Sequence, residues 1–258
     1  MKMITLLNKK VKRESSFSSR LLLVTAFFLF VFAGSSTVQA QVTTIKDWTP
    51  EFSGTSTTAQ TITYAVPAGT NSNRLLVVSI ATTTRAVGSR TVTLSYGGQT
   101  MTLAQGDMGT TNRRQHTAVY YLNEAGLDAA TNSTLSVRVQ DGTSVLTTVW
   151  AAVFDFVDQS SPITNSRNIN SNTLATTFSL STNLNIAAGD QAIFVANSCR
   201  VGNNSPRTFN TFPNFTLVSQ DNDNYNPGGT ANDVGTRVGL FSYSTIPNSA
   251  TTSNCSVT

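Results

Sequence analysis

The chain is poor in the side chains that carry most chemistry. It has a single histidine and two cysteines among 258 residues, and only 12% of its residues are charged. After residue 40 one lysine, Lys46, and two glutamates, Glu51 and Glu124, remain. One histidine and two widely spaced cysteines make no zinc-ligand spacing. No G-x-S-x-G elbow is present to set a nucleophilic serine beside His116, which disfavours a hydrolase triad. A glycosidase needs two carboxylates about 5–10 Å apart across a sugar. Glu51, near the start of the domain, and Glu124, in an expected loop, read as peripheral.

No apolar run reaches the roughly 20 residues of a membrane-spanning helix. The longest, Leu21 to Ala33 (LLLVTAFFLFVFA), has the length of a signal-peptide core. Lys2, Lys9, Lys10, Lys12, Arg13 and Arg20 precede it, and a small-residue site, Val38-Gln39-Ala40, follows. These three parts predict a secretion signal over 1–40, cleaved between Ala40 and Gln41. An uncleaved anchor is the competing reading, and length counts against it. Six of the 17 basic residues but only one of the 13 acidic ones lie before Gln41. The formal charge of +4 therefore becomes 11 − 12 = −1 in the mature chain. Without a positive field, neither nucleic acid nor an anionic membrane is an expected partner.

What the chain has in abundance is β pattern. Ile62, Tyr64 and Val66 alternate with Thr61 and Thr63; Val92, Leu94 and Tyr96 repeat the period, as do Leu135, Val137 and Val139. Such alternation gives strands with one wet and one dry face. LLVVSI (75–80), VLTTVWAAVFDFV (145–157) and AIFVA (192–196) are apolar on both faces and read as central strands. Pro67-Ala68-Gly69, Gly97-Gly98, Asp141-Gly142 and Pro227-Gly228-Gly229 are among the turn signals between them. The one helical candidate is a turn or two over Asn123 to Ala130, weakened by Gly126. The expectation is a single all-β domain over 41–258, an antiparallel two-sheet, jelly-roll-like sandwich of about 11–13 strands with little helix.

The two halves of that domain read alike. RLLVVSI, GGQTMTLAQGD, HTAVYYLNEAG and NSTLSVRV in the first answer to DQAIFVA, FPNFTLVSQDN, TRVGLFSYSTI and TSNCSVT in the second. Leu103 then matches Leu217, Tyr120 matches Phe241 and Val137 matches Val257. Duplication and the ordinary recurrence of hairpins both account for this. The first half runs on into the strand ending at Val157, so the comparison predicts truncation inside the matching strand at Thr258.

The series NRLLVV (73–78), LSYGGQTMTLAQ (94–105), TAVYYL (117–122), FDFVDQSSPI (154–163) and GDQAIFVA (189–196) resembles a recurrent secreted β-sandwich domain. Its pattern is NRLLVV, YGGQ and a VDQ-S/T-x-P turn. It is similar to domains of large surface proteins in bacteria, notably gliding or biofilm-forming Bacteroidota. The resemblance covers about residues 55–258 and implies a β-sandwich outside the cytoplasm, on the outer cell surface or secreted. It implies no catalytic residues.

Candidate sites are few. Asp221 and Asp223, alternating with asparagines, and Asp233 in the same expected loop offer hard oxygen ligands for calcium, the one cofactor considered. The glycine and glutamate of an EF-hand are missing, so a solvated loop stays open as the alternative. Trp48, Tyr96 and Tyr225 are candidate stacking rings for sugars, with Trp48 and Tyr225 the preferred pair; Trp150, in the most apolar strand, reads as core. Asp158 in VDQSSP reads as a turn-stabilising aspartate. Cys199 and Cys255 pair as a disulfide in an oxidising compartment, or remain two small buried thiols. N-x-S/T sequons at Asn132, Asn203, Asn214 and Asn254 are matches expected by chance in so Asn- and Ser-rich a chain. The functional expectation is a non-catalytic extracellular structural or adhesion module whose partners are glycans or other surface proteins. A carbohydrate-binding module is the alternative, and a secreted hydrolase domain a more distant one.

Overall fold

The computed structural model describes residues 41–70, 73–84, 86–112, 114–140, 145–168, 180–201, 215–225, 234–243 and 251–257. At 180–183, 198–201, 219–225, 234–239, 241–243 and 251–257 it describes the backbone alone. All of these residues fall in one compact unit, Ala40–Thr258.

The chain is all-β. Its first nine strands are β1 (Thr43–Ser56), β2 (Gln60–Thr63), β3 (Leu75–Thr83), β4 (Thr91–Tyr96), β5 (Gln99–Thr100), β6 (Thr102–Gly106), β7 (Gln115–Asn123), β8 (Thr134–Gln140) and β9 (Val145–Asp155). They form two antiparallel sheets, ordered β1-β9-β3-β7-β6 and β2-β8-β4-β5. The chain passes back and forth between the sheets, the wrapping of a jelly roll. The expected strand count is exceeded because the YGGQTMTL segment divides into β4, the two-residue β5 and β6.

A single helical turn, α1 (Glu124–Asp128), follows β7. Asn123 caps it, its Oδ1 accepting from Gly126 N at 3.1 Å. The glycine that weakens the helix signal lets the Leu122 side chain pack close, since a Cβ there would lie 2.3 Å from Leu122 Cδ1 and force that side chain to shift.

The alternating strands behave as their pattern dictates. Leu94 and Tyr96 of β4 and Leu135, Val137 and Val139 of β8 turn inward to meet Leu76, Val78 and Ile80 of β3 and Val149, Ala151 and Val153 of β9. Strands β3 and β9 differ in being buried at every position. Their opposite face carries Leu75, Val77, Ala81, Trp150, Ala152 and Phe154, which pack with Trp48, Ile193, Val195 and Leu240. A central sheet with two apolar faces needs cover on both sides, and a third layer supplies it.

The second half consists of β10 (Leu180–Ile186), β11 (Ile193–Val201), β12 (Phe215–Tyr225), β13 (Val234–Tyr243) and β14 (Thr251–Val257). Of these, β11 and β13 supply the covering residues, while β10 packs with β11 and β12 in a separate core. The five strands pair as β11-β13-β12 and β10-β14. Among the described strands β11 therefore sits at a sheet edge, whereas the sequence reads AIFVA as a central strand.

The same orders occur in the first half, as β3-β7-β6 and β2-β8. The registers agree residue by residue. Leu103 lies opposite Tyr120 and Leu217 opposite Phe241. In both hairpins a bulge follows, before Gln105 meets Val119 and Ser219 meets Leu240. Val78 pairs with Tyr120 as Phe194 pairs with Phe241, and Gln60 faces Val137 as Leu180 faces Val257. Unrelated hairpins have no reason to share a bulge position together with a separate strand pair, so the likeness of the halves is a structural repeat.

The Gly97-Gly98 turn between β4 and β5 offers a direct test. Both residues have positive φ, 55° and 86°, the backbone of a two-residue hairpin turn. A Cβ on Gly97 would stand 2.6 Å from Asn132 O, whereas one on Gly98 meets nothing within 4 Å. Gly97→Ala is expected to cost about 2–3 kcal/mol and Gly98→Ala about 1 kcal/mol, read from urea unfolding midpoints. Equal costs would contradict the packing of this turn.

Candidate functional site

The motif residues converge at one end of the sandwich, where β3 begins and β7 and β9 end. Arg74 donates from Nε to both oxygens of Glu124, at 2.9 and 3.1 Å. It also bonds Glu124 through Nη2 and donates from Nη1 to Pro67 O at 3.0 Å. Glu124 is a buried acid rather than the peripheral loop residue the sequence suggests. Its backbone N–H donates to Gln159 Oε1 at 2.8 Å, and Gln159 Nε2 donates to Arg74 O at 3.2 Å. The arginine of NRLLVV, the glutamate after β7 and the glutamine of VDQ thus form one closed network.

The neighbouring carboxylates are engaged as well. Asp155 is fully buried, and its Oδ2 accepts from Thr70 N and Oγ1, both at 2.7 Å. Its Oδ1 accepts from Phe156 N at 2.9 Å, supporting a phenylalanine held at φ 61°, a region side chains other than glycine occupy at some cost. Asp158 Oδ1 accepts from Ser160 N and Oγ at 2.8 and 2.7 Å, the turn-stabilising arrangement expected of it. Those bonds hold its carboxyl below its usual range.

Burial by itself would raise the Glu124 carboxyl, but the hydrogen bonds and charge of Arg74 outweigh it and leave the group below the usual carboxylate range. Glu124 in turn holds the Arg74 guanidinium protonated more firmly.

His116, at the start of β7, is buried rather than at the surface. Its Nδ1 lies 2.9 Å from Asp107 O and its Nε2 2.9 Å from Gly88 O. With both ring nitrogens against main-chain oxygens, none faces a serine hydroxyl, and the ring fastens two loops to β7. The one lysine after residue 40, Lys46, is also committed: its Nζ lies 3.3 Å from the Tyr64 ring centroid and donates to Ala65 O at 3.0 Å.

The expected binding residues do not come together. Trp48 is only 9% exposed and meets Phe154 edge-on, with ring centroids 6.0 Å apart. That leaves little of the indole to a sugar. Its apolar surroundings explain the burial, since Phe154 and Trp150 belong to the same cluster. Tyr96 is buried too, its hydroxyl donating to Tyr64 O at 3.0 Å, and Trp150 is core as expected. Tyr225 ends β12; its side chain lies outside the described residues.

Asp221 and Asp223 belong to β12, opposite Val238 and Thr236 of β13, and not to a loop. Two residues apart on a strand, they share one face. Asp233 lies outside the described residues, as do the side chains of Asp221 and Asp223. Among the described residues no three His, Cys, Asp or Glu groups converge as a metal site. Cys199 stands opposite Thr236 in β11-β13-β12, and Cys255 opposite Thr182 in β10-β14; the thiols, and so their pairing, lie outside the described residues. Gln41 opens the described chain, and Ala40 lies outside it.

One concave feature escaped the sequence reading. A cleft of about 310 Å³ runs between the outer face of β3 and β7 and the strand β11, with Val77, Gln105, His116, Val119, Ile193 and Asn197 among its lining residues. Asn197 spans it, its Nδ2 donating to Thr82 O at 2.9 Å and His116 O at 3.3 Å. No local motif marks it, because its walls come from the two halves of the repeat. No family model, curated protein or solved structure matches the chain.

The ion pair yields a prediction. Both side chains are mostly buried, so Arg74→Ala and Glu124→Gln are each expected to cost about 3–5 kcal/mol, with the double variant costing little more than either. The Glu124 carboxyl titrates lower in the folded than in the unfolded chain, where it sits at about 4.3. Its contribution is therefore complete above that value and lost as pH falls through the folded one. Unfolding midpoints between pH 3 and 7, which should flatten at the acid end in Glu124→Gln, check this.

Proposed function

We propose that the mature chain is a non-catalytic module of the cell exterior, structural or adhesive, secreted or held at the outer surface. The observation that carries this reading is the use made of the reactive groups. Glu124, Asp155, Asp158 and His116, the side chains around which an active site would be sought, each bond neighbouring backbone or side chains of the scaffold. The acids of the motif network tie strand ends together, which is the need of a domain that bears load rather than turns over substrate. The export signal and the near-neutral mature charge support the location. Its partners on this reading are other surface proteins or glycans. Of the two rings preferred for sugar stacking, Trp48 is mostly buried.

Two measurements test the reading. Protein recovered from outside the cells should begin with Gln41 on N-terminal sequencing; retention of residues 1–40 inside the cell would contradict export. The purified mature chain should show no saturable binding to a panel of polysaccharides, with or without calcium, at dissociation constants below about 1 mM. Saturable binding abolished by Tyr225→Ala would replace the structural reading with a carbohydrate-binding one. Calcium-dependent binding lost in Asp221→Asn or Asp223→Asn would make those residues ligands.

A further inference from the structure

The repeat assigns a role to the cleft. Every described strand of the second half has a counterpart: β10 answers to β2, β11 to β3, β12 to β6, β13 to β7 and β14 to β8. In the first half β8 is followed by β9, which lies on β3 in the register Val78 opposite Ala151. Among the described strands no counterpart of β9 is present.

The position of that counterpart follows from the packing of the two halves, which meet through equivalent faces. The outer face of β9, Trp150, Ala152 and Phe154, packs with Ile193 of β11 and Leu240 of β13. Under the register correspondence Ile193 answers to Val77 and Leu240 to Val119. A counterpart of β9 lying beside β11 would therefore set its outer face against the half-buried Val119 and the rim of the buried Val77, and these two residues line the cleft. Its inner face would close over Ala192 and Ala196, which pack with Ile186 and Phe215 in the small core of the second half.

We propose that this cleft is the seat of an extended strand of β9 chemistry, apolar on both faces and running antiparallel to β11, whose arrival extends the β11-β13-β12 sheet as β9 extends β3-β7-β6. The occupant is a strand and not a small ligand, because the surfaces it meets repeat those that hold β9. The proposal is independent of the surface-module reading and stands on the register of the repeat.

The test is a graft. The chain from Gln41 to Thr258 is extended after Thr258 by a copy of residues 139–158, so that the copied strand follows β14 as β9 follows β8. A second graft carries aspartate at the three positions copying Trp150, Ala152 and Phe154. The first graft is expected to raise Tm by about 5 °C or more and to slow amide exchange across residues 193–197 about tenfold. The aspartate graft should do neither. Equal effects from both grafts, or none from either, would overturn the proposal.

Discussion

The structure depends on two central strands, β3 and β9, that are buried on both faces. In β3 and β9 successive residues point to opposite sides, and both sides are apolar: Leu76, Val78 and Ile80 turn one way, Leu75, Val77 and Ala81 the other. Each face must be removed from water, at about 25 cal/mol per Å² of apolar surface. A two-sheet jelly roll covers only one. The rest of the architecture answers the second face, which the repeated half covers with Ile193, Val195 and Leu240.

This constraint also explains where polar groups are tolerated. Small hydroxyls such as Ser79, Thr82 and Thr148 are the polar groups buried along these strands. The charged and amide groups lie at one end of them, where Arg74, Glu124, Asp155 and Gln159 gather. They serve as fasteners. The start of β3 and the end of β7 are tied together by charged and amide side chains, Asp155 at the end of β9 holds Thr70, and backbone groups there find partners in them. The sequence motifs that look most like signatures, NRLLVV and VDQSSP, are the two halves of one such fastening. A motif of this kind reports on how a domain is closed and carries little about what it binds.

Much of the fold was legible in the chain because period-two alternation is a local property. Leu135, Val137 and Val139 had to share a face, and the double-sided runs at 75–80 and 145–157 had to lie centrally. The likeness of the halves was legible too, down to the match of Leu103 with Leu217, although the chain alone left duplication and recurrent hairpins as equal explanations. Other features depend on partners distant in sequence. Trp48 sits in a strand of mixed polarity, and only the approach of a distant apolar cluster that includes Phe154 and Trp150 buries it. Glu124 follows a strand end, and nothing local shows that Arg74 will reach it. Asp221 and Asp223 lie in an Asn-rich stretch that reads as loop, yet pairing with β13 draws it into a strand; neighbouring backbone can override weak intrinsic preference. The cleft is invisible in either half alone.

The central claim is that β3 and β9 support the layers on both sides as one cooperative unit. Native-state hydrogen exchange on the chain from Gln41 to Thr258 measures this most directly. If the claim holds, amides of β3 and β9 exchange only through global unfolding, and Val77→Ala, on the face covered by the second half, lowers the opening free energy of β4, β8 and β9 as much as that of β11 and β13. Loss of protection confined to β11 and β13, with β3, β4, β8 and β9 unchanged, would contradict it and leave the third layer an appendage.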